Sequence, residues 1–232
     1  MKCFILINSP LNAAFKKRVA AEIERARNAG PVSVICADSG AELAWPLIVP
    51  DLIIGDLDSI SDNVRAGYES LGVRFERYPA EKDFTDFHLA LSSASSINEK
   101  SHGGEKVSAI KVFGGLGRRL DQTIANIYVA GCFQNETGIP VSIHENKTHV
   151  YIADPALGGN IVINERVHIR DTVSLRPLFE KTHIVGTAGL KYKVSDETLG
   201  AFESRGTSNE ADSETVEVTV SEGPLLIIHI EK

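Results

Sequence analysis

The feature that most constrains this chain is a rhythm that changes once. Over the first 145 or so residues, short apolar runs alternate with stretches of helical periodicity; after about residue 147 the helical periodicity stops. Phe4–Ile7, Val32–Cys36, Leu52–Ile54, Val73–Tyr78, Val107–Phe113 and Val141–His144 read as strands. Val32–Cys36 and Leu52–Ile54 are unbroken apolar runs of the kind buried on both faces of a parallel sheet. Between the strands, Ser9-Pro10 reads as N-cap and first residue of a helix with Phe15, Val19, Ile23 and Ala26 on one face, closed by Gly30. Ala41–Trp45 is a short helix stopped by Pro46, and Asp62–Leu71, Thr85–Ile97 and Leu120–Gln134 are further helices. Asn98–Lys106 is polar enough to be a surface loop.

Beyond residue 147 the strand candidates are Val150–Ala153, Ile161–Ile163, Val173–Leu175, His183–Val185, Thr215–Val220 and Leu225–Ile230. Several alternate in polarity, and turn residues separate them. The two textures predict an α/β fold class: a Rossmann-like, mainly parallel sheet with flanking helices over residues 1–146, then an antiparallel β-sandwich over 147–232.

Composition excludes several function classes. A net charge of −7 without a dense Lys/Arg patch argues against nucleic acid as partner. No apolar run approaches the ~20 residues that cross a bilayer, so no membrane partner is expected. The opening Met1–Ile7 is too short for a signal-peptide core and reads as the first strand. Three cysteines, none in C-x-x-C spacing, are expected as buried thiols of a cytoplasmic protein.

Four clusters in the first half carry chemistry, each just after a strand, where open α/β sheets place ligands. Ala37-Asp38-Ser39-Gly40-Ala41 puts an acid and small residues at a strand-to-helix turn, where a polyanion can approach the backbone; the same residues also serve as ordinary turn and cap residues. In Gly55-Asp56-Leu57-Asp58-Ser59 an extended chain would point Asp56 and Asp58 to one side. Adjacent carboxylates repel unless a cation neutralises them, and magnesium suits oxygen ligands. In Glu81-Lys82-Asp83-Phe84-Thr85-Asp86, Thr85 or Asp83 can cap the next helix, which leaves a second acid and Lys82 for phosphate or metal. Gly114-Gly115-Leu116-Gly117-Arg118-Arg119 before a helix is a phosphate-binding arrangement, and equally a flexible turn with two solvated arginines. No P-loop, protein-kinase set, nucleophile elbow or zinc helix is present. His88 and His183 read as surface or half-buried residues.

The order and spacing of these clusters resemble the thiamine pyrophosphokinase family. The resemblance is carried by Ala37–Ala41, Pro50–Ser59, Lys82–Asp86 and Gly114–Asn126, and in the second half by Thr187–Tyr192, Gly206–Glu210 and the apolar strand after Gly223. It implies an enzyme that moves diphosphate from ATP to the thiamine hydroxyl, with Mg2+ as cofactor, ATP as co-substrate, and a cytoplasmic homodimer whose subunits share active sites. By resemblance Asp38, Asp56, Asp58 and Asp86 surround the metal, and Asp56, Asp58, Asp83, Asp86 and Lys82 form the catalytic set. Asp38, Ser39, Lys82, Arg119, Asp121, Gln122, Thr123 and Asn126 border ATP, while Ser208 and Asn209 hold thiamine. Ser39 stands where the family usually has a glycine, and Asn8-Ser9-Pro10 replaces a glycine-rich first loop. The rival readings are another metal-dependent phospho- or nucleotidyltransferase and a non-catalytic thiamine- or nucleotide-binding regulator.

Overall fold

The computed structural model describes every residue except Leu11, Ala80, Lys82, 101–105 and Arg118, and every side chain except theirs and those of 98–100. The chain forms two compact units, Met1–Val129 with Ile143–Asn146, and Ala130–Ser142 with Lys147–Lys232.

In the first unit, strands and helices alternate as the sequence rhythm demands: β1 (Lys2–Leu6), α1 (Ala13–Ala29), β2 (Val32–Ala37), α2 (Gly40–Ala44), β3 (Leu52–Gly55), α3 (Asp62–Ser70), β4 (Arg74–Arg77), α4 (Asp86–Lys100) and β5 (Ala109–Phe113). They are followed by the start of α5 (Leu120–Thr137) and the end of β6 (Val141–Glu145). The sheet order is β6-β5-β1-β2-β3-β4, and the pairings from β5 to β4 are parallel. Every strand from β1 to β5 therefore ends on one edge. Phe4, Leu6, Val34, Cys36 and Ile53 of the sheet pack on Phe15, Val19 and Ile23 of α1 and Val64 and Tyr68 of α3. Each such side chain contributes about 1.5–3 kcal/mol when fully buried.

Three expectations are corrected here. Asn12, not Ser9, is the N-cap of α1, its Oδ1 accepting from the Ala14 N–H at 2.9 Å and the Phe15 N–H at 3.2 Å. Ser9 has a stronger partner, since its hydroxyl donates to the buried Glu145 carboxylate at 2.7 Å. The expected loop at Asn98–Lys106 begins later, because α4 continues to Lys100; 101–105 lie outside the described residues. Cys3 and Cys36 are buried as expected, and burial next to Asp51 pushes the Cys3 thiol up to about 12. Cys132 differs, standing exposed on α5.

The second unit contains β7 (Thr148–Ala153), β8 (Asn160–Ile163), β9 (Thr172–Pro177), β10 (Lys181–Ala188), β11 (Ser195–Gly200), β12 (Asn209–Glu210), β13 (Val216–Glu222) and β14 (Leu225–Ile230). Antiparallel pairing arranges them as β12-β9-β14-β7 and as a four-stranded sheet, β11-β10-β13-β8. Ala153, Val173, Leu175 and Ile227 from one set share a core with Ile163, Ile184, Val216 and Val218 from the other, which makes the sandwich. Strands β11 and β12 fall outside the expected set. Ser195–Gly200 has a single buried apolar residue, Leu199, and owes its conformation to pairing with β10.

One polar network lies inside this unit. Buried His229 and Asp171 meet at 2.8 Å, and buried His149 and Glu231 at 2.7 Å, with Arg166 closing on Glu231. The two imidazoles face each other at 5.2 Å between ring centres, as the His229–His149 cross-strand register requires. Burial alone would raise Asp171, but hydrogen bonds from His229 and from the Lys232 and His168 N–H groups outweigh it and hold the carboxyl at about 2. Glu231 is likewise held at about 2, with Arg166 and His149 overcoming its burial. No described helix is long and apolar enough to cross a membrane.

Candidate active site

Three of the acids identified in sequence, Asp38, Asp56 and Asp86, meet at the carboxyl edge of the parallel sheet. Asp38 follows β2, Asp56 follows β3, and Asp86 is the first residue of α4, the helix after β4. Register explains the meeting: Ala37 pairs with Ile54, and the Asp38 N–H donates to the Ile54 carbonyl at 2.8 Å, so the chain leaves both strands side by side. Carboxylate oxygens of Asp38, Asp56 and Asp86 all lie within 4.8 Å of one another.

Backbone conformation at this edge is shaped to let the acids approach. Asp38 has φ 46° and Leu57 φ 67°, left-handed values that an aspartate tolerates and a leucine rarely adopts. Gly55 has φ 146°, and a Cβ on it would lie 3.0 Å from Asp86 Oδ1 and 3.1 Å from Asp38 Cβ. A side chain on this floor would force Asp86 or Asp38 to give by a few tenths of an ångström. In the next turn Ser39 takes ordinary right-handed dihedrals, so a side chain is accepted there. Gly40 has no such freedom, because a Cβ would fall 1.9 Å from the Leu6 carbonyl oxygen.

The electrostatics match a site built for a cation. Asp38 Oδ1 is buried without a hydrogen-bond partner. Burial raises the Asp38 pKa; hydrogen bonds from Ser59 and the Ser39 N–H work against that, and the charges of Asp86 and Asp56 add to it. A divalent ion with oxygen ligands would reverse each of these costs, and three carboxylates suit magnesium, which keeps further positions for water or phosphate oxygens.

Asp58 stands apart from the trio. The left-handed Leu57, buried under the turn, breaks the extended geometry that would have aimed Asp56 and Asp58 together. The exposed Asp58 carboxylate accepts the Ser59 hydroxyl at 2.9 Å, and its N–H leans on Asp56 Oδ1 at 3.3 Å. Asp83 is exposed in the connection to α4, and Thr85 caps that helix by accepting the His88 N–H at 3.2 Å. Lys82 lies outside the described residues.

The remaining nucleotide candidates line the loop after β5 and the first turns of α5. Arg119 forms a two-pronged ion pair with Asp121, at 3.1 and 2.5 Å, on the surface. Gln122 is exposed, and the Thr123 hydroxyl returns to the Arg119 carbonyl at 3.1 Å. Asn126 is buried, and its amide donates to the Gly115 carbonyl at 3.0 Å, fixing the glycine loop. In the second unit, Ser208 has φ 59° and its N–H donates to the Ser174 hydroxyl. Asn209 is buried, with Oδ1 accepting the Tyr192 and Glu210 N–H groups and Nδ2 donating to the Tyr192 carbonyl at 2.6 Å. Asn209 thereby pins both backbone groups of Tyr192, a residue that is 56% exposed, with Lys191 Nζ 5.3 Å from the ring centre. Tyr192 and Glu145 escaped sequence reasoning. Tyr192 had a signal, since it ends the Thr187–Tyr192 segment, while nothing local marks Glu145 as a buried acid.

Comparison with known proteins agrees with this layout. The family model described as "Thiamin pyrophosphokinase, catalytic domain" matches residues 30–142, and "Thiamin pyrophosphokinase, vitamin B1 binding domain" matches residues 160–225. Among curated relatives, thiamine pyrophosphokinase 1 of Oryza sativa subsp. japonica is 26% identical over 202 residues, covering 80% of this chain and 74% of the relative. Thiamine pyrophosphokinase of Bacillus subtilis (strain 168) is 26% identical over 182 residues, 78% of each chain. The crystal structure of thiamine pyrophosphokinase from Bacillus subtilis superposes with TM-score 0.79 at 21% identity over 100% of both chains. Thiamin pyrophosphokinase from Candida albicans does so with TM-score 0.76 at 18% identity, over 99% of this chain and 90% of that one.

Proposed function

The chain belongs to the thiamine pyrophosphokinase family, and from that premise we propose how its own residues divide the transfer of diphosphate from ATP to thiamine. The observation that carries the reading is the convergence of Asp38, Asp56 and Asp86 within 4.8 Å, with one Asp38 oxygen buried and lacking a donor. These three would hold Mg2+, with the exposed Asp58 on the rim of the same turn. The ion, when bound, supplies charge neutralisation for the phosphates and the leaving oxygen.

The residues of the chain do the rest. Asp38 and Ser39 begin the turn that faces the phosphates, and the glycine loop with Arg119, Gln122, Thr123 and Asn126 borders the nucleotide. Arg119 exchanges its surface partner Asp121 for phosphate oxygens, a trade that a guanidinium fork is built to make. Lys82 contributes a point charge. The thiamine hydroxyl oxygen bonds to the β-phosphorus as the bond from that phosphorus to the α–β bridging oxygen breaks, and AMP departs. Asp83, outside the trio, takes the hydroxyl proton.

Thiamine is held by the second unit through Ser208 and the Asn209-braced Tyr192, whose exposed ring offers a face to a cationic heterocycle. The working form is a cytoplasmic homodimer in which each thiamine site is completed by a partner copy. Supporting association, Leu120, Ile124 and Tyr128 form an apolar stripe along α5 at 75%, 48% and 50% exposure. Light scattering of the purified chain at twice the monomer mass is the expected result, and a monomer that is fully active refutes the shared site.

The deciding experiment incubates the protein with thiamine, ATP and Mg2+ and separates the products. Thiamine diphosphate and AMP in equal amounts are expected, and activity should vanish with EDTA. ADP in place of AMP would make it a single-phosphoryl transferase, and tight binding without turnover would make it a regulator.

A further inference from the structure

Glu145 ends β6 at the same sheet edge as the glycine loop, and it is buried. Its two oxygens reach different loops: Oε1 accepts the Ser9 hydroxyl at 2.7 Å, and Oε2 accepts the Leu116 N–H at 2.6 Å. Ser9 lies after β1 and Leu116 after β5, strands that neighbour each other in parallel register. We infer that Glu145 is a positioning residue that sets the nucleotide loop of this site by bracing it against the loop after β1. The inference rests on the reading of this edge as the ATP site.

The other ties of the two loops show why the carboxylate matters. The Gly114 N–H donates to the His144 carbonyl and the Gly115 N–H to the Asn8 carbonyl, both at 2.9 Å. Those are backbone bonds, which survive any side-chain replacement. Asn126 adds a side-chain bond, but only to Gly115. Glu145 is a side chain that holds both loops at once. Gly117 lies directly on it, since a Cβ there would sit 3.3 and 3.4 Å from the two carboxylate oxygens. From Leu116 and Gly117 the chain passes to Arg119 and into α5, so the carboxylate fixes the point from which the phosphate-facing groups depart. Ser9 then acts as a strut in place of the nucleotide contact that a glycine-rich first loop would make.

Substitution of Glu145 tests this, with thiamine diphosphate formation followed while ATP and thiamine are varied separately. Binding of Mg2+ with α,β-methylene-ATP, which cannot be cleaved at the reacting bond, is measured alongside. Glu145→Ala removes two charge-assisted hydrogen bonds and is expected to raise the ATP KM and the analogue Kd ~10-fold or more, with the thiamine KM held within about twofold. Glu145→Gln should restore the ATP KM to within about threefold. Its amide oxygen can accept the Leu116 N–H while its NH2 donates to the Ser9 oxygen, which turns to accept. An Ala variant with unchanged analogue Kd overturns the inference. So does a loss of active protein, equal in both variants, that leaves each KM in place, because that is the signature of a merely structural acid. Should Glu145→Ala fail to fold, Ser9→Ala removes one strut alone; it should raise the ATP KM about threefold, and an unchanged value refutes the role. A parent protein that binds no analogue would instead sink the nucleotide reading of the edge.

Discussion

Gly55→Ala tests the acid trio from beneath, without touching a carboxylate. The methyl group meets two costs. At φ 146° the backbone is in a region essentially reserved for glycine, worth about 1–3 kcal/mol for any other residue. The new Cβ also lies 3.0 Å from Asp86 Oδ1 and 3.1 Å from Asp38 Cβ, well inside the ~3.5–4.0 Å of a comfortable contact, which adds roughly 1–2 kcal/mol of overpacking. A total near 3 kcal/mol lowers the melting midpoint of a chain of this size by about 6–12 °C. Relief of the overlap must push Asp38 and Asp86 apart, so the Mg2+ concentration for half-maximal activity should rise ~10-fold, as expected for loss of one well-placed ligand contact. Gly72→Ala is the control, because Gly72 has φ 72° but open space around its Cβ position. It should lose only the backbone part, about 1–2 kcal/mol, and leave the Mg2+ dependence alone. Differential scanning fluorimetry and a Mg2+ titration of the coupled AMP assay read both quantities. If Gly55→Ala and Gly72→Ala shift melting equally and neither alters Mg2+ dependence, the trio is not held as described.

Asp38→Asn should cut thiamine diphosphate formation ~100-fold or more while raising the melting midpoint of the metal-free protein at pH 7–8. The sign follows from the raised folded pKa: ionised Asp38 opposes folding, a cost absent below the ordinary value of 3.8 and complete once the pH exceeds the folded value. A variant that melts lower than the parent in metal-free buffer at pH 8 refutes the repulsion argument. For Asp171, the folded value near 2 lies below the ordinary 3.8, so its contribution is complete above pH 3.8 and disappears as the pH falls towards 2. Asp171→Asn should therefore melt below the parent at pH 7 and converge with it as the pH approaches 2; circular dichroism melts that stay parallel would contradict the pairing with His229.

Most of the fold was legible because its two periods are distinct. Helical faces such as Phe15, Val19 and Ile23, and apolar runs such as Leu52–Ile54, are buried as the pattern requires. What escaped was structure specified by partners distant in sequence. Strand β11 is polar and exists through its ladder to β10, and β12 is two residues long. At the site, Asp38, Asp56 and Asp86 were expected at the metal through the family resemblance, and each lies in a segment that connects a strand of the parallel sheet to the next helix. Asp58 could not be placed, because an extended chain and a left-handed Leu57 give opposite directions for its side chain, and nothing in Asp-Leu-Asp announces the turn. The Ser9 cap failed for a similar reason, since its hydroxyl partner Glu145 lies 136 residues away. The paired histidines of β7 and β14 depend in the same way on a cross-strand register.

These misses share a physical cause with the site itself. Three carboxylates within 4.8 Å of one another repel, by roughly 3 kcal/mol for a pair of full charges at an effective dielectric of about 20, and no local propensity would assemble them. What holds them is the surrounding frame: Ala37 paired to Ile54, the Asp38 N–H fixed on the Ile54 carbonyl, Leu57 buried in the core, and a tightly packed floor at Gly55, whose positive φ favours glycine. Leu57 gains apolar burial in the same conformation that strains its backbone, so the hydrophobic core offsets the strain beside the acids. On the proposed reading, the cluster is unfavourable by itself and a divalent ion would relieve the repulsion among its carboxylates. A protein in which the same acids served only as turn residues would have no need to bury an Asp38 oxygen without a donor.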